Sequence, residues 1–410
     1  MFLFLRILNG NYRIADSQEY IETADLIKDG LYFQQTNRIE ASTLLTSRPF
    51  LYPLFIYIIG PTNDIAIILL QTFIGFMNLY LSIRLFEKIA GTSSFSLFIL
   101  LIILTPSVFI YTHLIMSECL ITLLLLSTAL LLTSSLTTKK IWAIQFILVL
   151  LCFIKPVFYL FTIINALFWA AYFIRYKIPA AISSIIPVIL IVCYMSFNQY
   201  RTGYFHFSSI QTVNLINYNV FYYKVNQVGY EKAMEWRDSI YQKASEFKTF
   251  KSRSAFLIHA GNEEITAHVA SYALFHIAGS IRGMIDPGRY DISTFFKSTV
   301  EKEGFLSLIN NKGFSYTLKK MLQSGSIWIL VLLVPVFLAG IIKWLLVSRY
   351  FYFNYKELTP GLAFLWLLLF YIILVTGPLN ASRFMMPLQF VIICFAVAGS
   401  KAVYKITKHK

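Results

Sequence analysis

The chain has 410 residues, of which 57% are hydrophobic, 17% aromatic and only 13% charged. Soluble domains are about half apolar and about a quarter charged, so the composition argues against an ordinary soluble enzyme and indicates an integral membrane protein. The formal charge of +15 does not indicate nucleic-acid binding, because the basic residues stand at the ends of apolar segments and no stacking platform or basic groove is visible.

The N-terminus begins with a short apolar stretch, Met1 to Leu8. About eight residues are too few to cross a bilayer, which takes ~20, and we do not expect them to form the usual apolar part of a signal peptide. We interpret this stretch as the end of a first helix whose start lies upstream.

Apolar segments then alternate with short polar turns over most of the chain. They lie at about 64–86, 95–111, 117–134, 141–154, 157–174, 180–199, 325–347, 360–377 and 384–400. The pattern predicts an all-α polytopic membrane protein with about nine or ten transmembrane helices. We divide it into an N-terminal membrane module (1–199, including a first loop, 10–63), a region of mixed polarity (200–324) and the C-terminal membrane helices (325–410).

Basic residues predict which side of the membrane each loop faces. They mark alternate loops only if Lys155-Pro156 is a true turn between two short helices, and by the positive-inside rule that side is the cytoplasm. The markers are Arg84, Lys88, Lys139, Lys140, Arg175, Lys177, Lys343, Arg349, Lys356 and the segment Lys401 to Lys410. Loop 10–63 and region 200–324 are then extracytoplasmic, and of 20 acidic residues only Glu87 and Glu357 fall in cytoplasmic loops.

Region 200–324 is too long for a simple connection and should have its own fold, mainly helical. The pattern predicts amphipathic helices from Tyr230 to Phe250 and from His268 to Met284. It predicts a turn at Asp286-Pro287-Gly288-Arg289. The four cysteines all lie in apolar runs and the histidines have no metal-ligand spacing, so we expect neither a disulfide framework nor a cysteine metal site.

Asp16 and Glu19 open a helical pattern in the first loop. Their spacing of three puts both carboxylates on one helical face. One interpretation is a helix cap, with Asp16 as N-cap and Glu19 completing a capping box. The other is a general base, because partial burial near a membrane can raise the pKa of a carboxyl group into the useful range.

Arg48 begins the run Arg48-Pro49-Phe50-Leu51-Tyr52-Pro53 later in the same loop. The apolar stretch Phe50 to Ile59 is too short to span, so we expect it in the membrane interface with Tyr52 at headgroup depth. Arg48 is then either a fixed cation for a lipid phosphate or an interfacial arginine that snorkels to water.

Further polar residues fall at the predicted outer ends of membrane helices. Glu118 opens an apolar helix just after His113, and acids at that depth are usually functional or paired, here with Arg48 or Lys155. Lys155 is a point charge suited to a phosphate, with snorkelling as the alternative. Arg383 opens the last helix and is a basic residue on the outer side, against the general trend.

These acids and cations together indicate group-transfer chemistry at the outer surface. A lipid-linked phosphate that leaves needs cations to take up its negative charge. An attacking hydroxyl or amine needs a carboxylate base. Both requirements are met by residues expected on one side of the membrane.

The same residues, taken in order, resemble the GT-C superfamily of polytopic glycosyltransferases that use polyprenyl-phosphate-linked sugars. The chain looks most similar to the branch of protein mannosyltransferases and aminoarabinose transferases, over most of residues 10–390. The resemblance is carried by Asp16…Glu19-Tyr20, Ser47-Arg48-Pro49-Phe50-Leu51-Tyr52-Pro53, Ser117-Glu118, Lys155-Pro156 and Arg383-Phe384…Pro387. The chain departs from the family in two respects: its first transmembrane helix is almost absent, and its acids are spaced Asp-x-x-Glu rather than adjacent.

The resemblance implies a GT-C-like bundle with an active site on the outer face. Asp16 would be the main catalytic residue and Glu19 the second. Arg48, Lys155 and Arg383 would hold the carrier phosphate, and Glu118 would orient sugar or acceptor. Tyr52 and His113 complete the set of predicted substrate-contacting side chains.

The leading hypothesis is therefore an inverting glycosyltransferase in the cytoplasmic or inner membrane. Its partners would be a polyprenyl-phosphate sugar, an extracytoplasmic acceptor (lipid, glycan or protein) and the bilayer. No cofactor is predicted, and a divalent metal requirement stays open. The alternatives are a lipid-linked sugar flippase or transporter, which would need charges or broken helices near mid-membrane, and a non-catalytic component of an envelope polysaccharide complex.

Overall fold

A computed structural model describes residues 2–10, 12–295, 315–316, 319, 327–379 and 382–408. These residues are largely helical and contain no β-strand. The predictions for Asn380, Ala381 and most of 296–326 fall outside the described residues.

The N-terminal helices follow the predicted order. They are α1 (Phe2–Asn9), α2 (Ala15–Lys28), α3 (Ile39–Ser47), α4 (Leu51–Ile59), α5 (Asp64–Ala90), α6 (Phe95–Ile103), α7 (Ser107–Thr112), α8 (Glu118–Leu132), α9 (Thr138–Ile154), α10 (Phe161–Tyr176) and α11 (Ile185–Thr202).

The central region is helical as well. Its helices are α12 (Ile210–Asn214), continued by a π-helical turn over Leu215–Val220, then α13 (Phe221–Val228), α14 (Tyr230–Ser245), α15 (Phe250–Ala267), α16 (Val269–Ile285) and α17 (Arg289–Phe295). The single helix predicted from Tyr230 to Phe250 ends at Ser245, and a new helix starts at Phe250, where the Thr249 side chain caps it.

The C-terminal helices complete the described chain. They are α18 (Ile327–Asn354), α19 (Pro360–Val375), the short α20 (Ser382–Met385) and α21 (Gln389–Lys408), the last two joined by a 3-10 turn over Met386–Leu388.

Within the described residues, five helical segments are long and apolar enough to cross a membrane. They are Asp64–Ala90, Pro156–Tyr176, Pro179–Thr202, Leu333–Glu357 and Ser382–Lys401, and three shorter apolar helices accompany them at Thr92–Ile103, Glu118–Leu132 and Pro360–Val375. The all-α membrane class is therefore confirmed at this coarse level. The predicted nine or ten crossings stay a prediction.

The last apolar segment lies at the centre of the protein. In Ser382–Lys401, 83% of the residues are buried, against 28–39% in the other four candidate spans. Helix α21 packs mainly on α18 and α5. A side chain at Gly399 would collide with the backbone carbonyl of Leu346 in α18, so glycine permits this close approach. Arg383, at the start of the segment, is thus placed among several other helices.

Two prolines break the apolar segments. Helix α9 ends at Ile154, and Lys155 adopts an extended conformation before Pro156, as the predicted turn requires. The segment predicted as continuous over 95–111 is broken between Ile103 and Ser107, because Pro106 cannot donate a backbone hydrogen bond.

Several of the basic residues used as loop markers bind the carboxyl ends of helices. Lys88 Nζ donates to the Leu130 carbonyl at 3.2 Å, Lys140 Nζ donates to that of Ser135 at 2.9 Å, and Lys401 Nζ donates to that of Ala90. Lys343 does not belong with them. It lies buried within α18, where Nζ donates to Thr105 Oγ1 at 3.0 Å and Gln389 Oε1 at 2.7 Å, so its use as a loop marker was wrong.

Candidate active site

The acids of the first loop are not helix caps. Helix α2 begins at Ala15 with Ile14 as its N-cap residue, and the Ile14 backbone N–H donates to Ser17 Oγ at 3.0 Å. The side chain that reaches back to the N-cap is therefore that of Ser17, and the capping interpretation of Asp16 and Glu19 was wrong. Both carboxylates instead form ion pairs with Arg48.

Arg48 is held at the end of α3 in an extended conformation, as expected for a residue that precedes proline. Its side chain is only 6% exposed, Nε donates to Glu19 Oε2 at 2.9 Å, and Nη2 lies 3.2 Å from Asp16 Oδ2. The guanidinium also stacks over the ring of Tyr20 at 4.9 Å. A buried, doubly paired arginine does not snorkel, so that alternative was wrong.

Glu118 lies at the centre of a second set of ion pairs. It is the first residue of α8 and is fully buried. Its Oε1 accepts hydrogen bonds from Lys155 Nζ and from Arg383 Nε, each at 2.8 Å. Arg383 also donates from Nη2 to Asp16 Oδ2, so its guanidinium joins Glu118 to Asp16.

The result is one ion cluster, made of Asp16, Glu19, Arg48, Glu118, Lys155 and Arg383. Its three carboxylates and three cations come from segments up to 367 residues apart in sequence. Buried charges are tolerated only when they are paired in this way.

Three carboxylate oxygens of the ion cluster accept no hydrogen bond from a described residue: Asp16 Oδ1, Glu19 Oε1 and Glu118 Oε2. Asp16 is 26% exposed and accepts its bonds through Oδ2, whereas no described residue donates to Oδ1. Glu118 Oε2 is buried, and no described group donates to it. A buried polar atom without a donor is costly, so Oε2 is suited to a hydroxyl or water held by the site.

The cations of the ion cluster hold Asp16 in its ionised form. Burial alone would raise the pKa of Asp16, but Arg383 and Arg48 outweigh it and lower the pKa to about 2. The expectation of a pKa raised into the general-base range was therefore wrong for the site as it stands, because desolvation is only one of the competing effects.

An apolar cleft adjoins the ion cluster at Lys155. Its walls include Ile121, Leu125, Ile372 and Leu388. Phe384 also lines it, and its ring lies 5.2 Å from Lys155 Nζ. The cavity is small, about 20 Å³, so unless it widens it has room for about one water molecule beside the Lys155 cation.

Tyr52 and His113 lie beside the ion cluster rather than in it. Tyr52 is fully buried within the protein; its ring packs against Tyr20 at 4.7 Å and its hydroxyl donates to Gln71 Oε1 at 3.1 Å. His113 Nδ1 lies 2.6 Å from the carbonyl oxygen of Phe109 one turn earlier, and burial lowers its pKa. Tyr52 therefore supports Tyr20, which in turn lies under Arg48.

Sequence reasoning missed a second acidic group, Asp286 and Asp291. The sequence pattern predicts only a turn at Asp286 and no particular role for Asp291. Both contact Ser382, the neighbour of Arg383, and Tyr111 Oη donates to Asp291 Oδ1 at 2.5 Å. The available signal was the pair of acids beside an apolar helix in the otherwise uninterpreted region 200–324.

No three His, Cys, Asp or Glu side chains within the described ranges are grouped so that they could hold a metal ion. Comparison of the chain with known protein families, with characterised proteins and with solved structures finds no match.

Proposed function

We propose that this protein is a membrane glycosyltransferase of the GT-C type, which moves a sugar from a polyprenyl-phosphate donor to an extracytoplasmic acceptor. The observation that carries the proposal is the ion cluster, in which three cations and three acids from distant segments meet beside an apolar cleft. The proposal includes a multi-pass topology with the Lys88, Lys140 and Lys401 end in the cytoplasm.

Lys155 and Arg383 are the proposed phosphate ligands. Both donate to Glu118 Oε1, so their N–H groups already converge on one position. A phosphate bound at that position could accept hydrogen bonds from both side chains. The isoprenoid chain would have to widen the small cleft at Phe384, whose ring lies close to both cations. Arg48 would add positive charge from the Asp16 side.

Asp16 is the proposed base because its Oδ1 is open while Oδ2 holds the two arginines. A pKa near 2 makes a weak base. A bound phosphate adds negative charge beside the same arginines, which weakens their field at Asp16 and raises its pKa toward the useful range. Donor binding would thereby activate the base.

The proposed step transfers one group and one proton. The acceptor oxygen or nitrogen attacks the anomeric carbon from the face opposite the phosphate. The new glycosidic bond forms as the bond between the anomeric carbon and the phosphate oxygen breaks, and its electron pair leaves with the phosphate. The acceptor proton goes to Asp16, and Lys155 and Arg383 stabilise the leaving phosphate.

The test uses the full chain in lipid nanodiscs with polyprenyl-phosphate donors that carry different radiolabelled hexoses or pentoses. Asp16→Asn should abolish transfer of whichever sugar wild type accepts, while still binding unlabelled polyprenyl phosphate. The matched control is Asp64→Asn, since Asp64 also pairs with an arginine, Arg13, at 2.8 Å in the same N-terminal part of the chain.

Asp64→Asn should keep at least half of the wild-type activity. Full transfer by Asp16→Asn would remove the assignment of Asp16 as base. Failure of wild type to bind polyprenyl phosphate, or to turn over any donor in the panel, would reject the proposed function itself.

One observation favours a second candidate, a lipid-linked sugar transporter. Lys343 is buried inside a candidate span with two uncharged partners, Thr105 and Gln389. Charges within the membrane often mark transport pathways. If the protein is a transporter, Lys343→Met should abolish movement of a fluorescent polyprenyl-phosphate sugar across proteoliposomes; if it is a transferase, no such movement should occur in wild type.

A further inference from the structure

Two carboxylates hold the residue next to Arg383. Asp286 Oδ2 accepts the backbone N–H of Ser382 at 2.6 Å, and Asp291 Oδ2 accepts the Ser382 hydroxyl. Ser382 is therefore bound through its main chain and its side chain at once. Each acid has a further donor: the Gly288 N–H binds Asp286 at 3.2 Å, and the Tyr111 hydroxyl binds Asp291.

Neither acid forms an ion pair within the part of the chain that the structure describes. Asp291 is only 6% exposed, and its two hydrogen-bond donors among the described residues are hydroxyl groups. A carboxylate buried among neutral donors costs folding stability. An apolar residue at position 291 would avoid this cost, so packing alone does not explain why acids occupy these two positions.

Helix α16 holds the chain just before Ser382. His276 Nε2 lies 2.5 Å from the Leu374 carbonyl oxygen at the end of α19. Gly279 faces the Gly377 backbone so closely that a Cβ at residue 279 would collide with it. The turn Gly377–Leu379 and Ser382 are thus held by one continuous stretch, residues 269–295.

We propose that α16, Asp286 and Asp291 form a clasp that positions Arg383. Arg383 must reach Glu118 with Nε and Asp16 with Nη2 at the same time. A flexible side chain meets two partners in fixed geometry only if its backbone is itself fixed, and Ser382 is the adjacent backbone unit. Asp286 and Asp291 are positioning residues, which act on a substrate through Arg383.

The proposal gives the central region a function in the site. The acids of the clasp lie in α17 and the turn before it, whereas Arg383 belongs to the C-terminal helices. The inference rests on the proposed function in one respect, namely that Arg383 contacts the donor phosphate. The contacts that position Arg383 can be tested without that assumption.

The first test measures backbone hydrogen exchange on the full chain in nanodiscs. Asp291→Ala should speed exchange of the amides in 382–388 by about tenfold or more, the scale of one lost hydrogen bond to a charged group. Peptides from α5 should exchange as in wild type. The matched control is Glu264→Gln, which breaks the 2.8 Å ion pair with Lys224 in the same central region.

A second variant covers the case in which Asp291→Ala does not fold. Gly279→Ala leaves both acids in place but pushes on Gly377 from α16, so it should speed exchange over the same peptide. Unchanged exchange of 382–388 in both variants, or equal changes in Glu264→Gln, would overturn the clasp.

The second readout is binding of unlabelled polyprenyl phosphate. Asp291→Ala should weaken it about tenfold in wild type and have little further effect in the Arg383→Gln background, because both changes act through one guanidinium. Independent, additive effects would show that Asp291 does not act through Arg383. If wild type binds no polyprenyl phosphate, the proposed function fails and the exchange result alone decides on the clasp.

Discussion

Carboxylates lie on both sides of the Ser382–Arg383 link, in two different environments. Asp16 and Glu118 face Arg383 and are paired with cations. Asp286 and Asp291 face Ser382 and accept bonds from neutral groups. Burial acts on both groups, yet the pKa of Asp16 is lowered to about 2 whereas that of Asp291 is raised to about 6.

The comparison shows that the countercharge, more than the degree of burial, decides the ionisation of these acids. Arg383 and Arg48 outweigh burial at Asp16. At Asp291 burial dominates, the nearby Asp286 raises the pKa further, and the bonds from Ser382 and Tyr111 only partly compensate. Cations thus hold the pKa of Asp16 low, whereas burial without an ion pair raises the pKa of Asp291 to about 6 and shifts the pKa of Asp286 in the same direction.

The largest loss of folding stability is expected when Arg383, which joins Glu118 to Asp16, is replaced. Arg383→Gln leaves Glu118 with Lys155 alone and Asp16 with Arg48 alone. Breaking a buried pair costs about 3–5 kcal/mol, because a charge remains without its partner. The midpoint of thermal unfolding in detergent should fall accordingly.

The control for this change is Arg84→Gln, which breaks the exposed pair with Glu87. That change should cost less than about 1 kcal/mol. Equal unfolding midpoints for the two variants would mean that the ion cluster contributes no more than a surface pair.

A smaller effect is expected on how folding stability depends on pH, which should differ between variants of Asp291 and of Asp16. The folded-state pKa of Asp291 is raised above the usual 3.8, so the folded protein holds this proton more tightly than the unfolded chain does. The contribution to stability is fully present below pH 3.8 and is lost as pH rises through about 6. Relative to Asp291→Asn, wild type should lose ~1–2 kcal/mol of stability between pH 5 and pH 7.5. The groups that shift the pKa of Asp291 besides burial are Ser382, Tyr111 and Arg383, which lower it, and Asp286, which raises it.

Asp16 should behave in the opposite way. Its folded-state pKa is lowered, so its contribution is present above 3.8 and is lost only as pH falls toward 2. Wild type and Asp16→Asn should therefore differ by the same amount at pH 5 and pH 7.5. The measurement is the unfolding midpoint of wild type, Asp16→Asn and Asp291→Asn at both pH values. If wild type and Asp291→Asn differ by the same amount at pH 5 and pH 7.5, the raised pKa of Asp291 is contradicted.

The sequence predicts the helices better than their contacts. Helix α8 lies at 118–132 against a predicted 117–134, because long apolar runs between polar turns define membrane helices by composition alone. The link between Asp16 and Arg383 spans 367 residues, and no local pattern specifies it. Asp286 resembled an ordinary turn residue, and Lys343 a loop marker, because the partners that bury them are remote in sequence.

The smallest effect is expected from the hydroxyl of Tyr111. Tyr111→Phe removes the donor to Asp291 Oδ1 and should cost about 1 kcal/mol of stability. That bond lowers the pKa of Asp291, so its loss should also move the pH transition of the previous experiment to higher pH. Tyr52→Phe is the control, because Tyr52 is equally buried but donates to Gln71, an amide that does not titrate. It should cost a similar amount at every pH, whereas a transition that stays in place in Tyr111→Phe would mean that Tyr111 does not set the ionisation of Asp291.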